Sequence, residues 1–139
     1  MLDAGCGSGI LSIAAWLLGC RPVCAFDLDP DAVMIAKENF EKNAIPEGAI
    51  SSCVSSLLGF SGGPKEKYDI VAANILSSAL IEGAPKLLSL AKPGGRLILA
   101  GILEKEYATV ENEFMRLGCS PLFAETEKEW RGGAFSIPS

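Results

Sequence analysis

The chain has 139 residues, 49% hydrophobic and 21% charged, which is enough for one domain with a sizeable core. Its formal charge of −5, from 17 acidic and 12 basic residues, argues against a broad surface for nucleic acid or anionic membrane. No apolar run reaches the length of a membrane span, and residues 1–18 carry Asp3 and lack the basic start of a signal peptide.

There is no His, which removes His-based triads and the commonest general base. Five cysteines stand at 6, 20, 24, 53 and 119, with no Cys-x-x-Cys pair. That spacing does not suit zinc, so no metal is expected. Reduced core cysteines of a cytoplasmic protein are the expected reading.

The chain opens on Met1-Leu2-Asp3-Ala4, the end of a strand, followed by Gly5-Cys6-Gly7-Ser8-Gly9. Glycines reach positive φ at little steric cost and let a ligand approach the backbone. The helix that follows offers unpaired N–H groups and partial positive charge at its start. An anionic group is the natural guest of such a turn. The strand is shorter than the usual five or six residues, so an N-terminal truncation within a central strand is expected.

Residues 10–18 are apolar on all sides, which predicts a fully buried helix capped by Gly19. Pro22 to Leu28 reads as a buried parallel strand. Asp29 and Pro30 suit the N-cap and first position of a second helix. Its face carries Val33, Ala36, Lys37 and Phe40, with the lysine stem able to lie along it. Asn43 to Gly48 is a polar break, and Ala49 to Val54 a short strand.

A Ser/Gly/Pro-rich loop runs through Pro64. Tyr68 to Asn74 is a strand of the continuous apolar kind. Residues 77–91 read as a helix that Pro85 kinks or breaks. Lys92-Pro93-Gly94-Gly95 reads as a turn and Arg96 to Gly101 as a strand. Tyr107, Val110, Phe114 and Leu117 recur at helical spacing over Glu104 to Leu117, with Gly118 as the cap. Two strands follow, near 121–126 and 130–137. The alternation predicts a three-layer α/β fold, mostly parallel, ending in an antiparallel pair.

Ligands of open α/β sheets sit beyond the carboxyl ends of the strands. Asp3 to Gly9, Asp27 and Asn74 lie at such ends. Asp27 falls 22 residues after Gly5, the spacing at which an acid grips a ribose diol. S-adenosylmethionine (SAM) and a nicotinamide dinucleotide both satisfy these features. The dinucleotide pattern, however, requires a third glycine where Ile10 stands.

The Asp-x-Gly-x-Gly-x-Gly pattern resembles the first motif of class I SAM methyltransferases. Taken with Phe-Asp-Leu-Asp-Pro-Asp-Ala, Tyr-Asp-Ile-Val-Ala-Ala-Asn-Ile-Leu, Lys-Pro-Gly-Gly-Arg-Leu-Ile-Leu-Ala-Gly-Ile-Leu and Glu-Lys-Glu-Trp, residues 1 to about 130 resemble the catalytic domain of the PrmA family. That family methylates amino groups of a ribosomal large-subunit protein.

The resemblance implies a single Rossmann-like catalytic domain over residues 1–139. It places Asp3, Gly5, Gly7 and Gly9 on the methionine part of SAM and Asp27 on the ribose. It places Ser55 and Ser56 beside the adenine, where many class I enzymes carry an acid. Asn74, with the backbone at Ile75, would face the methyl and the substrate amine. The implied partner is a ribosomal protein, with no direct nucleic acid, membrane or metal. The family's N-terminal recognition domain is expected to be missing, and Arg131-Gly132-Gly133 is expected to interrupt its closing strand. A SAM-binding fragment without activity, or a methyltransferase of another amine, is the alternative.

Overall fold

The structure is a computed structural model that describes residues 1–139 except Pro64 and Glu66. The expected loop through Pro64 therefore reaches outside the described residues. The chain divides into two compact units, Met1–Glu66 and Lys67–Ser139.

In the first unit, β1 (Leu2–Ala4), β2 (Val23–Asp27) and β3 (Ile50–Val54) are parallel, with β2 in the middle. In-register neighbours share a face of the sheet. Asp3 lies opposite Ala25, while Ala4 and Cys53 flank Phe26. Helices α1 (Ile10–Leu17) and α2 (Pro30–Lys42) pack on the Ala25 side, where Ile13, Ala15, Ala36, Phe40 and Ile45 form one cluster with Val23 and Ile50. Phe26, in contrast, stacks on Phe60 at 4.3 Å between ring centroids.

The caps follow the sequence. The Asp29 carboxylate accepts from the Asp31 amide at 2.9 Å, and Pro30 opens α2. At the end of α1, Gly19 (φ 92°) donates to Trp16 and Cys20 to Ala15, the paired bonds of a Schellman stop. Val33, Ala36 and Phe40 are buried, whereas Lys37 stays exposed.

The expectation of a fully buried α1 is wrong. Ser12, Ile13 and Ala15 face the core, but Ile10, Leu17 and Leu18 are 67%, 67% and 85% exposed. An all-apolar segment has no phase from which to read its inner face. The cysteines also divide: Cys6, Cys24 and Cys119 are buried, Cys20 is half-buried and Cys53 is exposed.

The second unit contains β4 (Tyr68–Asn74), α3 (Ser77–Leu90), β5 (Ala91–Leu103), α4 (Glu104–Arg116), β6 (Ser120–Glu127) and β7 (Trp130–Ser136). β4 and β5 are parallel, and β7 lies antiparallel between β5 and β6. Leu97, Leu99, Ile102, Val110, Phe114 and Phe135 are fully buried. Gly118 (φ 92°) and Cys119 end α4 with the same paired bonds that stop α1, to Met115 and Phe114.

Three further expectations fail in this unit. Pro85 does not break α3; it lies on the exposed side, and the helix continues to Leu90. Lys92–Gly95 does not separate two elements but forms a bulge within β5. Register passes from Tyr68↔Ala91 to Ile70↔Arg96, so β5 takes more residues than β4 over that step. Gly94 supplies φ 70° there, and a Cβ on Gly95 would come within 2.9 Å of the Asp69 carbonyl.

Arg131-Gly132-Gly133 likewise does not interrupt the closing strand. All three residues lie within β7. Gly133 gives room to Tyr107 of α4, because a Cβ there would collide with the Tyr107 hydroxyl. That hydroxyl is buried with no hydrogen-bond partner among the described residues, and burial raises its pKa.

Gly133→Ala should therefore cost about 1–3 kcal/mol in a urea titration. Tyr107→Phe added to it should recover part of the loss, since it removes both the colliding atom and an unpaired buried hydroxyl. A double variant no more stable than Gly133→Ala would show that this contact is not the cause.

Candidate cofactor-binding site

Three glycines set the path of the turn after β1: Gly5, Gly7 and Gly9 have φ of 74°, 51° and 82°. The Gly5 and Cys6 amides both donate to the Phe26 carbonyl, at 2.9 and 3.0 Å, which fastens the turn to β2. The Gly9 amide donates to the Cys6 carbonyl at 2.8 Å, and Gly9 then caps α1 without a side chain. A Cβ on Gly9 would stand 2.7 Å from the Phe40 ring, so this position is closed by packing as well as by φ. Apart from its chain neighbours, no atom of the described residues lies within 4 Å of a Cβ placed on Gly7, which leaves its surface open.

Two carboxylates flank this turn. Asp3 is 1% exposed. Its Oδ2 accepts from the Ser12 amide at 3.1 Å and the Ser12 hydroxyl at 2.6 Å. The acid thereby satisfies an amide of the first turn of α1 and places negative charge at the helix start. Burial raises its pKa, the two Ser12 bonds act against that rise, and Asp27 adds to it.

Asp27, at the end of β2, is half-buried. Its Oδ2 accepts from the Gly7 amide at 2.9 Å and its Oδ1 from the Asp29 amide at 3.0 Å. One carboxylate thus joins the glycine turn to the start of α2. A carboxylate offers about four acceptor positions, so each oxygen of Asp27 keeps capacity for one more donor.

Ser55 follows β3 and donates its amide to the Asp27 carbonyl at 2.9 Å. The Ser56 hydroxyl accepts from Gly59 at 3.0 Å, which shapes the turn leading to Phe60. Asp3, Gly5, Gly7, Gly9, Asp27, Ser55 and Ser56 all belong to the first unit. The bonds above join Asp3 to the first turn of α1, the glycine turn to Asp27, and Asp27 to Ser55. The Cys6 thiol has its pKa pushed up to about 12 by burial and by Asp3 and Asp27, so it stays protonated and is no nucleophile.

Asn74 and Ile75 lie in the second unit. Asn74 ends β4 opposite Ala100 and is exposed, while Ile75 is half-buried. Gly101 has φ 72°, and a Cβ there would collide with the Asn74 side-chain oxygen. Gly101 therefore makes the space in which the Asn74 amide sits.

Sequence reasoning missed Gly101, Ser12 and Asn39, whose side-chain amide donates to the Ser8 carbonyl at 2.9 Å. Ser12 had a signal: it is the one polar residue of an apolar helix. Asn39 had none, because its contact spans 31 residues.

A groove of about 580 Å³ lies along α2 and the start of β3 and contains none of the predicted site residues. Glu38, Glu41 and Glu47 line it, so it does not suit an anionic ligand. Among the described residues no acid, Cys or His cluster could hold a metal, and no helix is long and apolar enough to cross a membrane.

Gly9→Ala should lower stability by about 3 kcal/mol, combining positive-φ strain with overlap against Phe40. Gly7→Ala, strained but unobstructed, should cost about 1 kcal/mol. Thermal melts giving equal losses would contradict the packing role of Gly9.

Residues 1–134 match the family model described as ribosomal protein L11 methyltransferase (PrmA). A ribosomal protein L11 methyltransferase of Geotalea uraniireducens is 42% identical over 140 residues, covering 100% of this chain and 42% of that protein. The chain thus spans about two fifths of the length of that relative. The crystal structure of a ribosomal protein L11 methylase from Lactobacillus delbrueckii subsp. bulgaricus aligns with TM-score 0.88 and 30% identity, over 99% of this chain and 69% of that one.

The N-methyltransferase NodS of Bradyrhizobium japonicum, solved with S-adenosyl-L-homocysteine, shares the fold at TM-score 0.76 and 15% identity, over 99% of this chain and 77% of its own. The Rossmann-like, mostly parallel α/β fold with an antiparallel C-terminal pair is thereby established. The chain belongs to the ribosomal protein L11 methyltransferase (PrmA) family.

Proposed function

We propose that residues 1–139 are the catalytic domain of a SAM-dependent protein N-methyltransferase, acting on amino groups of a ribosomal large-subunit protein in the cytoplasm. The observation that carries this reading is Asp27. Its carboxylate is already oriented by Gly7 and Asp29, and each oxygen keeps an acceptor position for one hydroxyl of a ribose. Beside it, the open surface at Gly7 would admit the amino-acid end of the cofactor, and Asp3 would meet its ammonium group. Ser55 and Ser56 would border the adenine.

The sulfonium of SAM supplies an electrophilic methyl when bound, so the protein's task is mainly positioning. The Asn74 amide oxygen and the Ile75 carbonyl are suited to accept the hydrogens of a neutral amine and so orient it. No strong base is needed where solvent takes the proton, which fits a chain without His. Family membership and the names of its relatives support the ribosomal protein as substrate.

Isothermal titration of the folded chain with S-adenosylhomocysteine should give saturable binding. Asp27→Ala should weaken it by about 2–3 kcal/mol, the scale for losing hydrogen bonds to a charged group. Unchanged affinity would remove Asp27 from the site, and no binding to folded wild type would overturn the cofactor reading.

A further inference from the structure

We propose that Ser12 is a positioning residue for cofactor binding, holding the Asp3 carboxylate in one orientation so that its second oxygen is presented to the cofactor's ammonium group. The inference rests on the cofactor reading above and adds a residue to it.

Ser12 is 0% exposed and lies in the first turn of α1. Its hydroxyl and amide both fall on Asp3 Oδ2, at 2.6 and 3.1 Å. Two bonds to one oxygen fix the carboxylate plane and leave Oδ1 with its acceptor capacity. A helix cap alone would need just the bond from the amide. The hydroxyl adds a second, charge-assisted bond, which favours the ionised acid that an ammonium requires.

The groups around Asp3 make that support necessary. Burial raises its pKa, and Asp27 on the neighbouring strand raises it further. The Cys6 thiol is held protonated up to about 12 and brings no charge at neutral pH. Helix α1 carries no titratable side chain. Removing the hydroxyl takes away a contribution that lowers the Asp3 pKa, so the acid would protonate at higher pH. An ammonium ligand prefers the ionised acid. Affinity is therefore lost as pH falls through the Asp3 pKa, and that loss would begin earlier without Ser12.

The test is the affinity for S-adenosylhomocysteine, measured by titration calorimetry from neutral to acidic pH, with thermal melts alongside. The wild type, Ser12→Ala and Ser12→Cys are compared. Ser12→Ala should bind about tenfold more weakly at neutral pH, and its decline on acidification should start at higher pH than in the wild type. Ser12→Cys, of similar size but a weaker donor, should fall between the two.

Wild-type affinity and pH profile in Ser12→Ala would overturn the proposal, as would a lowered melting temperature with both unchanged, since that is the mark of a structural role. Absence of binding to folded wild type would instead remove the cofactor reading, and this proposal with it.

Discussion

A carboxylate with almost no solvent exposure holds the first turn of α1 at the end of β1, and the glycine turn is strung between those two fixed points. Asp3 lies on the face of β1 that looks toward α1. Its charge would be unfavourable there without partners. Ser12 provides two donors, and the helix start provides partial positive charge. The turn therefore cannot drift without leaving a buried acid unpaired. The alternating positive-φ glycines are the local consequence, since the chain must reverse in few residues and then enter a helix.

Asp27 does complementary work on the outer side of the same turn. It binds two backbone amides from different elements, so the end of β2, the glycine turn and the start of α2 share one anchor. Where Asp3 faces inward, Asp27 is half-exposed and keeps acceptor capacity toward solvent. Both acids organise the backbone: Asp3 receives its two bonds on one oxygen, and Asp27 receives one on each. In the second unit a missing Cβ at Gly101 makes room for the Asn74 side chain.

The parts legible in the sequence were those whose physics is local. Asp29-Pro30 announced a helix start because capping and proline geometry act within one turn. Tyr68–Asn74 was readable as a continuous apolar run with a polar end. The spacing of Asp27 from the glycine turn, and its place at a strand end, were readable for the same reason.

What failed was set by distant partners. The exposed face of α1 cannot be phased from an all-apolar segment. The Lys92–Gly95 bulge depends on the register of β4 beside it. Gly133 of β7 looked like part of a break because the Tyr107 side chain it accommodates lies on another element, on α4. Ser12 stood out as the one polar residue of α1, but its bond to Asp3, nine residues away, was not legible, because a serine within a helix gives no sign of where its hydroxyl points.

In the proposed function, the glycine turn and the acid of β2 together hold a nucleoside by its sugar and its amino-acid tail. A crystal structure of the chain with S-adenosylhomocysteine tests this most directly. Both ribose hydroxyls are expected on the Asp27 carboxylate, with the amino-acid end against Gly5–Gly9. A nucleoside bound elsewhere, such as along the groove of α2 and β3, would contradict that placement.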